Sequence, residues 1–350
     1  MVQSGGSPGH GARSRGLFRT LRAGAAATAV ALVASGCGLL GGSDGDAGAG
    51  SSAGPVEKAT VRVAIIPSTD MAPLWVAKTQ GYFTEQGIEV EFVTKGGGGD
   101  VITSLLGGDV DFAFASYPLL VQAQQKGRGA TNIKVVADAS AAKPDTTAVV
   151  VAKNSPLRSP ADLQGKKIAV TSTGSMADLA VLAGMKAAKA ETAGIQWQQM
   201  KFPDMLPKLG TGEIDAAFLV EPFLSIAQAQ LGVWTVFQPM TGRLEGIALN
   251  GYAALEKTTQ QYPKTVAAFQ RGVEKAHREA ATRSGDDAVR QALIQNANVK
   301  PEIGPVLHLP DYPITTDVTR LQRVPDLLKE FGLIAEPFDI KPMVLATPAG

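Results

Sequence analysis

The residues best suited to chemistry in this chain of 350 residues lie in short polar loops behind β-branched runs. Pro67-Ser68-Thr69-Asp70-Met71 follows one such run, and Thr171-Ser172-Thr173-Gly174-Ser175-Met176 follows another. Two more loops close a shared layout. Residues 108–118 end in Ala115-Ser116-Tyr117-Pro118, and residues 212–222 end in Leu219-Val220-Glu221-Pro222. Hydroxyls and the N–H groups of helix N-termini hold an anionic head without Lys or Arg. Asp70 and Glu221 would instead accept charge-assisted bonds from a solute that carries N–H donors. Both are binding chemistries. The three His (His10, His277, His308) are scattered and there is one Cys, so neither a Ser–His–Asp set nor a metal site is evident. No Gly-x-x-x-x-Gly-Lys-Ser/Thr run is present. No cofactor, metal or catalytic group is therefore expected.

The elements that hold these loops alternate. Runs at 60–66, 87–94, 110–115, 133–137, 147–152, 167–170, 196–200, 214–220 and 233–237 read as strands. Helices are expected at 71–80, 101–106, 176–188 and 204–209, with another from the 116–118 loop to about 125. Asp100 reads as an N-cap, and Ser159-Pro160 as a helix start. This alternation implies parallel sheets with helices on both faces. Ser68 and Ser172, Asp100 and Asp204, and Gly108 and Gly212 are all 104 positions apart. Three landmarks at one offset point to two similar lobes. A long amphipathic helix at 258–283, and others at 286–296 and 317–331, are expected to cover the first lobe.

Ligands in open α/β sheets lie beyond the carboxyl ends of the strands. The expected contacts are therefore Ser68, Thr69, Asp70, Met71, Gly97, Ser116, Tyr117, Ser172, Thr173, Gly174, Ser175, Met176, Phe202 and Glu221. Structural roles compete with this reading. Asp70 suits a helix cap, Trp75 suits the core, and Glu221 stays open between a solute contact and a structural role.

Composition agrees with a packed body: 45% of residues are hydrophobic, 19% are charged, and formal net charge is +1. So little net charge gives no global field toward nucleic acid. Arg13, Arg15, Arg19 and Arg22 precede an apolar run at 23–34, which is too short to span a bilayer, so residues 1–37 read as a secretory export signal. The run ends in Val33-Ala34-Ser35-Gly36-Cys37, similar to a lipoprotein cleavage box with Cys37 as the lipidated residue. Cleavage there would remove four Arg and leave a net charge of −3. The Gly/Ser/Ala-rich stretch 38–56 reads as a flexible tether.

Several features together resemble substrate-binding proteins of ABC transporters, in the nitrate/sulfonate/taurine and thiamine-pyrimidine-precursor branch. They are the Gly81-Tyr82-Phe83 helix end, the glycines at 96–99 ahead of Gly108-Asp109-Val110-Asp111, and Asp162-Leu163-Gln164-Gly165-Lys166-Lys167. Residues 212–222 and Leu309-Pro310-Asp311-Tyr312-Pro313 fit as well. The resemblance covers about residues 60–340. It implies an α/β fold of two similar lobes, each a mostly parallel sheet flanked by helices, joined by two crossing hinge segments near 147–153 and 246–252. The first lobe would comprise 57–150 with 246–345, and the second 151–245. It further implies a monomer, lipid-anchored on the extracytoplasmic face, that delivers a small solute to an ABC permease. A sulfonate-like or nitrate-like solute and an aminopyrimidine-like one both stay open. The alternatives are a sensor lipoprotein of the same fold or a pyrimidine-synthesis-type enzyme.

Overall fold

A computed structural model describes residues 55–127 and 132–346. The expected export segment, Cys37 and nearly all of the expected tether lie outside the described residues. The strands are β1 (Thr60–Ile65), β2 (Glu89–Thr94), β3 (Phe112–Ser116), β4 (Ile133–Ala141), β5 (Thr147–Val151), β6 (Lys167–Val170), β7 (Gln196–Gln199), β8 (Ala216–Val220), β9 (Trp234–Phe237) and β10 (Ala248–Leu255). They form two five-stranded sheets, ordered β2-β1-β3-β10-β4 and β7-β6-β8-β5-β9. In the first sheet β10 is antiparallel to both neighbours, and the other pairings are parallel. In the second sheet β5 has that place. Each sheet is thus mostly parallel in direction, with one reversed strand beside a passage between lobes. Those passages run through 142–146 and 238–247, just ahead of the segments expected to cross. β5 belongs wholly to the second sheet, although the expected boundary at 150 would divide it.

The helices are α1 (Ala72–Thr79), α2 (Gly98–Gly107), α3 (Tyr117–Gly127), α4 (Met176–Ala187), α5 (Phe202–Thr211), α6 (Phe223–Leu231), α7 (Glu256–Gln261), α8 (Pro263–Ala280), α9 (Arg283–Asn296) and α10 (Val318–Glu330). The internal repeat is geometric. α2 starts at 98 and α5 at 202, and β3 starts at 112 and β8 at 216, so the offset is 104 each time. Both helices end on a left-handed glycine, Gly108 with φ 78° and Gly212 with φ 76°, which lets the next amides reach back to the last turn.

Burial follows strand alternation. Val61, Val63 and Ile65 of β1 face a core with α1, α8 and α9, while Ala64 faces the opposite side. In β8, Ala217 and Leu219 pack with α5 and α6, while Ala216 and Phe218 face the core that includes α4.

The helix expected at 258–283 is divided. Tyr262 precedes Pro263 and adopts φ −129°, ψ 54°, because a residue before proline is disfavoured in the helical region. A second break falls at Thr282, whose side chain caps α9 through the Gly285 amide. No loop separates β3 from α3: Pro118 sits in the first turn, where its missing N–H costs nothing. Asp100 also sits within a first turn, and Gly97 is the N-cap of α2.

One buried polar knot ties α10 to the first sheet. Asp138 on β4 is 3% exposed. It accepts from Tyr117 Oη at 3.0 Å and pairs with the Arg320 guanidinium. Burial outweighs the pull of Arg320 and the hydrogen bonds, and holds its carboxyl up at about 6. Replacing Arg320 with Met would strand a buried carboxylate, at a cost of about 3–5 kcal/mol. Urea unfolding should show that loss in R320M and recover most of it in D138N/R320M.

Candidate functional site

A cavity of about 100 Å³ lies where the two sheets present the carboxyl ends of their strands to each other. Ser68, Thr69 and Asp70 reach it from the turn after β1, Gly98 from the start of α2, and Ser116 from the end of β3. The second lobe contributes Thr171, the start of α4 (Ser175, Met176, Ala177), Phe202 and Val220. Thr146 and Thr147 come from the passage into β5, and Asn250 comes from β10. Phe114, Phe218, Met240, Leu249 and Pro310 make up much of the apolar wall.

Two helix N-termini meet at this point. α2 begins on the first lobe, and its Gly99 amide donates across the cleft to Ser172 Oγ at 3.0 Å. α4 begins on the second lobe, and the Oγ of its N-cap Ser175 accepts from the Ala177 amide. Their positive ends favour an anionic group. The Thr147 hydroxyl and the Ser116 hydroxyl are buried on the cavity wall without a hydrogen-bond partner among the described residues. An unpaired buried hydroxyl carries a desolvation cost that a polar solute removes. Among the described residues, no Lys or Arg lines the cavity.

The carboxylates have distinct settings. Asp70 is buried on the cavity wall, where it accepts from Ser140 Oγ at 2.8 Å, and Asn250 Nδ2 in turn donates to Ser140 at 3.3 Å. Burial raises its pKa, and the hydroxyl bonds partly oppose that. Glu221 points elsewhere. Its carboxylate accepts from the Ser225 amide and hydroxyl, at 3.1 and 2.8 Å, at the start of α6. Burial raises the Glu221 pKa as well. Its main-chain carbonyl accepts from both the amide and the hydroxyl of Thr69 across the cleft. Glu221 therefore serves lobe contact and helix capping, and its side chain does not line the cavity.

Of the residues expected to contact a solute, Ser68, Thr69, Asp70, Ser116, Ser175, Met176 and Phe202 line the cavity. Tyr117 does not: it is buried beneath, with its hydroxyl on Asp138. Met71 packs in the core with α1, as does Trp75. Gly97 and Ser172 form the contact between lobes. Thr173 is exposed. Gly174 has φ 73°, and its carbonyl accepts from Gln122 Nε2 of the first lobe at 2.5 Å. Sequence reasoning missed Thr146, Thr147, Asn250 and Pro310, which arrive from the passages and the tail. Asp178 was also missed. It lies in the first turn of α4 and accepts from the Gly174 amide at 2.5 Å, which fixes the hydroxyl-rich loop.

A family model described as "NMT1/THI5 like" matches residues 68–284, over half of the chain and every cavity-lining residue except Ile66 and Pro310. The chain belongs to the NMT1/THI5-like family. A "Putative aliphatic sulfonates-binding protein" of Escherichia coli (strain K12) is 28% identical over 207 residues, which are 57% of this chain and 62% of that relative. The match thus spans less than two thirds of the relative's length. Among solved structures, the alkanesulfonate-binding protein SsuA from Xanthomonas axonopodis pv. citri, bound to MOPS, aligns with a TM-score of 0.70 at 18% identity. That alignment covers 83% of this chain and 99% of that one. The periplasmic nitrate-binding protein NrtA from Synechocystis PCC 6803 aligns at 0.62 and 18%, covering 71% and 69%. Both likenesses are of fold. The two lobes of this NMT1/THI5-like chain are the periplasmic-binding-protein architecture.

Asp178 gives the site a pH signature. Burial raises its carboxyl to about 6, above the roughly 3.9 of an unfolded chain. A group raised in the folded state contributes stability that is full below about pH 4 and is lost as pH rises through about 6. D178N keeps an acceptor for Gly174 and removes that loss. Between pH 4 and 8, wild type should lose on the order of 2 kcal/mol more unfolding free energy than D178N. Equal losses would mean that Asp178 does not titrate in this window.

Proposed function

We propose that the chain is the extracytoplasmic solute-binding component of an ABC importer. It takes a small solute with an oxyanion head, such as a sulfonate, between its lobes and hands it to a membrane permease. The observation that carries this is the pair of unpartnered hydroxyls, Ser116 and Thr147, buried where the N-termini of α2 and α4 converge. Donors without a cationic side chain suit a compact oxyanion whose charge the helix ends balance. The named sulfonate-binding relative supports the same class. Ser68, Thr69, Ser175 and the first-turn amides of α4 complete the cradle in this reading. The fold supplies two lobes on two passages, which close on a solute by hinge motion. Cys37 is the lipid attachment point, and the protein works as a monomer held at the membrane surface. Transport, with no chemical change to the solute, is the role assigned.

Asp70 sustains a second reading, an aminopyrimidine-like solute. It is a buried carboxylate on the cavity wall, and an N–H donor would bind it.

Calorimetric titration and thermal shift of the 57–350 fragment against sulfonates, nitrate and aminopyrimidines separate the two. An oxyanion ligand should bind D70N as tightly as wild type or tighter, because a nearby negative charge is gone. An aminopyrimidine should lose tenfold or more. If no solute in the panel raises the melting temperature, the binding reading fails. For the anchor, Cys37→Ala should move the protein from the membrane fraction to the soluble one, and retention in the membrane would contradict lipidation.

A further inference from the structure

The cavity borders a second space on its outer side. Ile66 and Phe202 line it and also line a second, larger groove of about 1250 Å³ between the lobes. The groove's inner wall is apolar. Phe202 stacks on Phe223 with ring centroids 4.5 Å apart, and Leu206, Ile226 and Ile303 extend the surface. Its ionisable lining is one-sided: Lys95, Lys201 and Lys300 against Glu302. Among the described residues none of these lysines is in an ion pair. The Lys201 chain lies across the cleft against Gly96, so a cation sits where the two lobes meet at the groove. The inner cavity has the opposite character, small and without Lys or Arg.

We propose that the groove is the outer half of the solute site, and that the solute is elongated, with an apolar body and a second anionic group at its far end. The inference rests on the solute-binding reading above. The head enters the cavity between α2 and α4, the body passes between Ile66 and Phe202, and the far anion meets the lysines. A solute that fits only the inner cavity leaves the groove's apolar wall in water. Each methylene buried there instead is worth roughly fourfold in affinity.

The test is calorimetric titration with ethanesulfonate, octane-1-sulfonate, and octane-1-sulfonate carrying a terminal carboxylate. The eight-carbon sulfonate should bind at one site, compete with ethanesulfonate, and be at least about tenfold tighter. The terminal carboxylate should add about fivefold more, a gain abolished in Lys95→Gln/Lys300→Gln. Ala229→Trp, which narrows the groove, should reduce the gain from chain length. If ethanesulfonate binds but neither length nor the far charge adds affinity, this inference fails and the solute-binding reading stands. Long chains that bind without competing would also overturn it. If none of the sulfonates binds, this inference and the sulfonate reading are overturned, while binding of nitrate or an aminopyrimidine in the wider panel would keep the solute-binding reading.

Discussion

The close approach of the glycines at 96–99 to the second lobe governs the site. A Cβ on Gly97 would stand 2.7 Å from the Thr171 carbonyl oxygen of the second lobe. That contact is closer than real Cβ atoms tolerate and its partner is backbone, so a larger residue would push the lobes apart. Glycine lets the N-terminus of α2 come within hydrogen-bond reach of Ser172. With α4 opening on the same cavity, two helix ends supply its positive character. In the proposed oxyanion reading, those helix ends would balance an anion without a buried cationic side chain, whose desolvation would be costly.

The internal repeat explains the cavity's shape as well as its location. Phe114 and Phe218 stand 104 positions apart and both line it, as do Ser116 and Val220. The floor is thus two copies of one strand end. Where the copies differ, the roles differ. Ser116 gives a hydroxyl and Val220 gives an apolar surface. One residue later, Tyr117 drops into the Asp138–Arg320 knot and Glu221 turns onto its own helix. The two lobes share a backbone plan, and side-chain divergence makes the space between them asymmetric.

Much of the architecture was legible because its strands are short, apolar and bounded by glycine or proline. The 104-residue offset was visible at Ser68, Asp100 and Gly108, and it proved to be an offset of whole elements. The misses have physical causes. Periodicity carries through residues 258–283, yet the pre-proline restriction at Tyr262 and the Thr282 cap divide the helix. About half of the expected contact residues reach the cavity, since a loop position says little about side-chain direction. Tyr117 and Met71 point into cores. Thr147 opens an otherwise apolar strand, and that single hydroxyl was the available clue to it. Asn250 and Pro310 are distant in sequence, and only the return of the chain through β10 and the tail brings them in.

The bonds across the cleft are few and individually modest. Thr69 donates to the Glu221 carbonyl, Gly99 to Ser172 and Gln122 to Gly174. Away from the cavity, Glu330 of α10 meets Lys186 of α4 and Arg243 of the returning passage at the surface. Neutral hydrogen bonds contribute about 1 kcal/mol each, and exposed ion pairs about that or less. Against them stand the two unpartnered hydroxyls buried on the cavity wall. In the proposed capture between lobes, an arrangement balanced this way would be sensitive to a solute that satisfies those hydroxyls only when both lobes are in place. Such a solute would stabilise closure by its differential affinity for the closed form, which is the coupling that capture requires. The groove beyond Ile66 and Phe202 adds apolar surface and lysines drawn from both sides of the cleft. In the elongated-solute proposal, a longer solute would act on that equilibrium from farther out.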